Sequence, residues 1–193
     1  MEQTKNSKLF LRVLVVLLSL SVFVNVLLAR KVDHLRYIER TLRGESQLQP
    51  GEIVPALSLK GLDGKNIFFP YGDSELPSII YVISPGCSWC EKNQKNAESL
   101  AKKVSGKYRF IAISLESKGL EQYMKNHQIS FDVYTDLPQE ISSKYKFGGT
   151  PQTLIISASG KVLYNLQGAY TGDLKSQVEK IFDFSLPGID SSN

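Results

Sequence analysis

Cysteine and histidine are scarce in this 193-residue chain, which has Cys87 and Cys90, His34 and His127, and no others of either type. A zinc site needs about four such ligands, and His34 stands beside the apolar N-terminal run, so no metal site is expected. A disulfide closing only two intervening residues restricts the unfolded chain little, because loop-closure gains grow with loop length. That argues against a purely structural role for the pair. Internal repeats and low-complexity tracts are also missing. Residues 1–45 carry eight of the 23 basic and four of the 19 acidic side chains, which leaves 15 of each sign in the remainder. The remainder is therefore neutral, with no electrostatic footprint for nucleic acid.

What is present begins with the run Leu9–Ala29, which is uncharged from Val13 onward. A bilayer is spanned by about 20 apolar residues, and the run reaches that length with Arg12 snorkelling to one interface. A cleaved signal peptide would share the basic start at Lys5, Lys8 and Arg12. A small-x-small cleavage site is missing, however, because Leu27 stands two residues before Ala29. The expectation is a single uncleaved transmembrane helix at 9–29, with a basic tail at 1–8, a charged helical connector at 30–49, a globular domain at 50–185 and a tail at 186–193. The basic residues from Arg30 to Arg43 are expected to meet lipid headgroups. More Lys and Arg follow the run than precede it, which by itself would keep the domain in the cytoplasm. The cysteine chemistry points to the outer side and is given more weight.

From Glu52 onward the pattern is that of an α/β domain. Leu57–Leu59 and Asn66–Phe69 read as a hairpin around Asp63-Gly64. Pro77–Ile83 and Arg109–Leu115 are continuous apolar runs, suited to strands buried on both faces. A helix is expected from the cysteines to Val104, with Ala97, Leu100, Ala101 and Val104 on one stripe. Further helices are expected at Leu120–Asn126, Pro138–Tyr145 and Thr171–Phe182, and strands at Asp132–Thr135, Thr153–Ile156 and Lys161–Leu166. Four residues separate the last two strands, too few for a parallel crossover, so that pair should be antiparallel. The order predicts a mixed central sheet flanked by helices.

Cys87-Ser88-Trp89-Cys90 fall where the strand ending at Ile83 turns into a helix. Unpaired N–H groups at a helix start favour a thiolate, and cysteines so placed fall from a pKa of about 8.5 to roughly 3.5–7.5. The spacing lets the second sulfur return onto a mixed disulfide made by the first. Cys87 is thus the expected attacking thiol and Cys90 the resolving one, with the sulfurs carrying the electrons and no cofactor required. Trp89 reads either as core packing or as a rim that meets substrate.

These features, with Pro50-Gly51 through Pro55, Gly149-Thr150-Pro151 and Gly160-Lys161 followed by Gly168, resemble the thioredoxin superfamily, in its membrane-tethered TlpA/ResA-like branch. The resemblance covers about Pro50 to Phe182. It implies a thioredoxin-like fold and a thiol–disulfide oxidoreductase acting on protein thiols or disulfides, with a membrane electron carrier as donor. It also implies that Pro151 is cis and lies against the sulfurs, and that Thr150 binds substrate through its backbone beside Ser88 and Trp89. Gly168 matches a family glycine and equally suits a turn or bulge. Two positions depart from the pattern: where relatives carry a proton-handling acid, this chain has Tyr81 and Asn93. A helical register placing Asn93 on the Ala97 stripe turns it inward near Cys90, where it can hydrogen-bond but not titrate.

Two other activities on related folds fit less well. A peroxiredoxin-like peroxidase needs a proline seven residues and a Thr or Ser three residues before its cysteine. Cys87 has Ile80 and Ser84 there, and Cys90 has Ile83 and Cys87. A copper-carrying assembly factor uses wider cysteine spacing and a downstream histidine, for which only His127 is available. The orientation of the anchor is open to direct test. Protease added to intact spheroplasts bearing the full chain should digest the domain. Protection until lysis would put the domain inside.

Overall fold

The computed structural model describes residues 14–15, 17–35 and 47–189. The chain divides into two units between residues 45 and 46. In the first, α1 spans 17–35. Its polar side chains bond back along the helix, with the Ser19 hydroxyl donating to the Val15 carbonyl at 2.8 Å and the Asn25 amide to the Ser21 carbonyl at 2.9 Å. Residues 9–13 and 16 of the expected anchor, 36–46 of the expected connector and the last four residues lie outside the described residues. Among the described residues, no helix is long and apolar enough to cross a membrane.

The second unit contains β1 (Leu57–Gly61), β2 (Asn66–Phe69), β3 (Ser78–Ile83), α2 (Ser88–Lys92), α3 (Gln94–Val104), β4 (Arg109–Ser114), α4 (Leu120–Asn126), β5 (Val133–Thr135), α5 (Gln139–Tyr145), β6 (Gln152–Ile156), β7 (Val162–Gln167) and α6 (Gly172–Phe182). The seven strands form one sheet in the order β2-β1-β5-β4-β3-β6-β7. The pairs β3–β4 and β4–β5 are parallel, and the other four are antiparallel. The mixed sheet is as expected, and so is the antiparallel β6–β7 pair.

Every residue of β3 and of β6 is buried. Alternate side chains of β3 serve the two faces: Ile79, Tyr81 and Ile83 pack with α3, α4 and α6, while Ile80 and Val82 pack with Tyr145 of α5. This is why the Pro77–Ile83 run reads as continuously apolar rather than alternating. Leu48 belongs to the α5-side cluster at 2% exposure. Its segment lies along the start of β7, where Gly51 N–H donates to the Val162 carbonyl and Val162 N–H to the Glu52 carbonyl, both at 2.8 Å.

One expectation needs correction. The helix predicted to run unbroken to Val104 is two helices, parted at Asn93 with φ −87° and ψ −2°. Backbone bonds still bridge the joint, from Asn93 N–H to the Trp89 carbonyl and from Ala97 N–H to the Asn93 carbonyl, each at 3.0 Å. The side chain of Asn93 is what distinguishes the position. It is fully buried and committed to partners in three other places, as described below.

Candidate active site

The first half of the site follows from the end of β3. Ser84-Pro85-Gly86 closes a turn in which Cys87 N–H donates to the Ser84 carbonyl at 3.0 Å, and Cys87 then becomes the N-cap of α2. Its sulfur accepts the Cys90 N–H at 3.0 Å. That N–H is one of the helix-start donors without an intrahelical acceptor four residues back, and a thiolate is a better acceptor for it than a thiol. Cys87 is half-buried, whereas Cys90 is 1% exposed. The two form a disulfide with their Cα atoms 5.2 Å apart.

The second half comes from the start of β6. Thr150–Pro151 is a cis peptide bond, and the Thr150 carbonyl oxygen lies 3.3 Å from Cys87 Sγ. The disulfide has no sulfur-bound hydrogen, so this is a contact in the oxidised state and a site for the thiol proton once the bond is opened. Gly149 sits at φ +153° and Gly168 at φ +110°, conformations that favour glycine. Gly168 N–H donates to the Pro151 carbonyl at 2.8 Å, so this glycine extends the β6–β7 ladder to the cis proline.

Beside the sulfurs runs a shallow groove of about 300 Å³, lined by Trp89, Thr150, Pro151, Gln167, Gly168, Ala169, Thr171 and Leu174. None of these side chains is charged. Trp89 is 53% exposed, which rules out the core-packing alternative, and the Lys92 ammonium lies 5.4 Å from its ring centroid. The structure brings together Cys87, Ser88, Trp89, Cys90, Thr150 and Pro151, all anticipated from sequence. It adds Gln167, Ala169, Thr171 and Leu174, whose presence depends on the pairing Gln152↔Gln167 between β6 and β7. A strand register of that kind has no local sequence signal.

Beneath Cys90 the interior is polar but uncharged. The Asn93 amide donates to the Tyr81 hydroxyl at 3.1 Å, and its oxygen accepts from Tyr170 N–H at 2.9 Å and the Asn96 amide at 3.0 Å. The register expectation of an inward Asn93 holds, but every bond recorded for its amide goes to these three residues rather than to a sulfur. Burial raises the Tyr81 hydroxyl well above its ordinary pKa of 10, with repulsion from Tyr170 adding to the shift and the Asn93 bond opposing it. Tyr170 is likewise pushed up by burial, against its bond with Thr153. Both phenols therefore stay protonated throughout the range in which thiols titrate.

Residues 71–182 match the thioredoxin-like domain family. The chain belongs to that family. Among solved structures similar to it is a protein assigned as the thiol:disulfide interchange protein DsbE from Chlorobium tepidum. The TM-score is 0.60 at 19% identity, over 71% of this chain and 98% of that one. StoA from Bacillus subtilis gives 0.54 at 18% identity, over 67% and 98%. The thioredoxin domain of a thiol-disulfide oxidoreductase from Bacteroides vulgatus gives 0.54 at 18%, over 70% and 99%. At these identities the likeness bears on the fold. No curated protein is significantly similar to the chain in sequence.

The uncharged pocket has a measurable consequence. In the reduced protein, alkylation rates between about pH 4 and 10 should show thiol ionisation alone. Asn93→Asp places a carboxylate of similar shape among the same partners. Burial raises its pKa, and its charge raises the thiol pKa values by repulsion. The variant profile should gain a second inflection and move toward higher pH. Superimposable profiles would mean that position 93 is electrostatically remote from both sulfurs.

Proposed function

We propose that this thioredoxin-like chain is a membrane-tethered thiol–disulfide oxidoreductase working through Cys87 and Cys90. The observation that carries the reading is the asymmetry of the pair. A half-buried sulfur accepts a helix-start N–H and faces the Thr150 carbonyl ahead of a cis proline, while its partner is buried. In the reductive direction the Cys87 thiolate attacks a substrate disulfide, forming a mixed disulfide and expelling one substrate thiolate, which takes up a proton. Cys90 then loses its proton and attacks Cys87 Sγ, forming the Cys87–Cys90 disulfide and releasing the second substrate thiol. Two electrons and two protons pass to the substrate, and a donor in the membrane restores the dithiol.

The groove at Trp89, Thr150 and Pro151 receives the substrate chain, with Ser88 at its rim and the Thr150 backbone supplying hydrogen bonds. Its uncharged lining suits polypeptide flanking a cysteine rather than an anionic small molecule. The apolar run at 9–29 supports tethering, and disulfide chemistry has a purpose on the oxidising side of a membrane. The domain accordingly lies outside, and its targets are exported protein thiols, including those needed in cytochrome c assembly. Resemblance to the TlpA/ResA-like branch supports that last assignment and the role of reductant.

Two measurements test this. Cys90→Ala should accumulate mixed disulfides through Cys87, and Cys87→Ala should accumulate none. Equal trapping by both variants would abolish the division of roles. The reduction potential of the couple should lie at or below about −270 mV. A value near about −120 mV would make the protein an oxidant instead.

A further inference from the structure

The loop carrying Thr150 and Pro151 is tied to the segment leading into the domain by a chain of neutral amides. Gly148 N–H donates to Gln152 Oε1 at 3.3 Å, Gln152 Nε2 donates to Asn165 Oδ1 at 2.8 Å, and Asn165 Nδ2 donates to the Leu48 carbonyl at 2.9 Å. Gln152 is fully buried, and the Leu48 side chain is anchored in the core. A second tie runs alongside, in which Gln47 Nε2 donates to Gln167 Oε1. Both glutamines press on the same loop: a Cβ at Gly148 would stand 3.0 Å from Gln167 Nε2 and 3.2 Å from Gln47 Nε2. The segment is also pinned where the loop begins, because Lys146, the C-cap of α5, holds the Glu52 carboxylate at 3.1 Å.

Buried amides are costly unless bonded, and bonded ones enforce a single geometry. Here they join the segment at 47–52 to the backbone that faces Cys87. This inference rests on the oxidoreductase reading above. The geometry points to Gln152 and Asn165 as positioning residues, which hold the Thr150–Pro151 loop in its substrate-receiving form by tying it to Leu48. A polypeptide substrate that bonds to the Thr150 backbone then meets a loop that is already ordered, and loses less freedom on binding. A small dithiol that touches only the sulfurs draws no benefit from the loop.

The difference between the two classes of reagent is the test, in the full-length chain. Trp89 is the only tryptophan and stands between the cysteines, so its fluorescence reports the redox state of the pair in single turnovers. Asn165→Leu removes the acceptor for Gln152 and the donor to Leu48. Asn165→Asp keeps the first and loses the second. With insulin as the protein disulfide, Asn165→Leu should raise the half-saturating concentration about tenfold, the order expected for one or two lost hydrogen bonds. The limiting rate should be unchanged, and Asn165→Asp should fall between parent and Asn165→Leu. Reduction of the Cys87–Cys90 disulfide by dithiothreitol should change by less than about twofold in both variants. Losses of equal size with insulin and dithiothreitol, or unaltered insulin kinetics, would overturn the positioning role. If Asn165→Leu does not fold, Asn165→Asp and Gln47→Leu carry the same comparison. A parent chain that reduces no insulin and traps no mixed disulfide defeats the oxidoreductase reading itself. An active parent with unsplit variants defeats only this inference.

Discussion

The site exists because β3 is held on both sides. Its antiparallel ladder with β6 ends at Val82↔Gln152, and its parallel ladder with β4 ends at Ile83↔Ser114. Past those rungs the chain leaves β3 for Cys87, while Pro151 is the residue that precedes β6. Backbone bonds among fully buried residues thus decide that a cysteine and a cis proline, more than 60 positions apart in sequence, face each other. Register is stringent here. A slip of one residue would exchange Tyr81 with Ile80 or Val82 between the two faces. It would bring the Tyr81 hydroxyl under α5 and away from Asn93.

The interior beneath the sulfurs is built on hydroxyls and amides rather than charge. Asn93 joins Tyr81, Tyr170 and Asn96, and Asn96 in turn accepts the Gly188 N–H at 2.8 Å, which fastens the chain beyond α6. The Tyr170 hydroxyl reaches Thr153 on β6. Unpaired buried polar atoms are few. Among the buried side-chain nitrogens and oxygens of the described residues, only Ser78 Oγ and Arg109 Nε have no hydrogen-bond partner, and the Arg109 guanidinium is compensated in part by the Phe69 ring at 4.1 Å and the Pro70 carbonyl at 2.9 Å. A satisfied neutral network confers a defined geometry without a group that ionises at working pH.

Much of this was legible in the residues themselves. Continuous apolar runs marked β3 and β4, spacing on one stripe marked α3, and the short connection after Ile156 marked the antiparallel β6–β7 pair. The cysteine pair stood out because it falls at a strand-to-helix turn. The cis state of Pro151 came from resemblance alone, since nothing in the local sequence separates it from an ordinary proline ahead of a strand. The break at Asn93 escaped because helical periodicity continues through it, and two partners of its side chain, Tyr81 and Tyr170, stand one before and one far after it in the chain. Gln152 and Asn165 escaped for a related reason. A polar residue in a strand reads as solvent-facing until the neighbouring strand and its register are known.

The segment at 47–54 does more than fasten a loop. Strand β7 is the last in the sheet order, and its first residues would offer bare N–H and carbonyl groups but for Gly51, Glu52 and Val54, whose backbones engage Val162 and Gly160. An uncovered strand margin is a template on which other chains can assemble. The stretch that leads into the domain is thus also the guard of that margin. Cleavage of the chain just after Pro50-Gly51 would take the Gly51 bond from that margin and leave only those of Glu52 and Val54, whereas cleavage before Gln47 would leave all three in place.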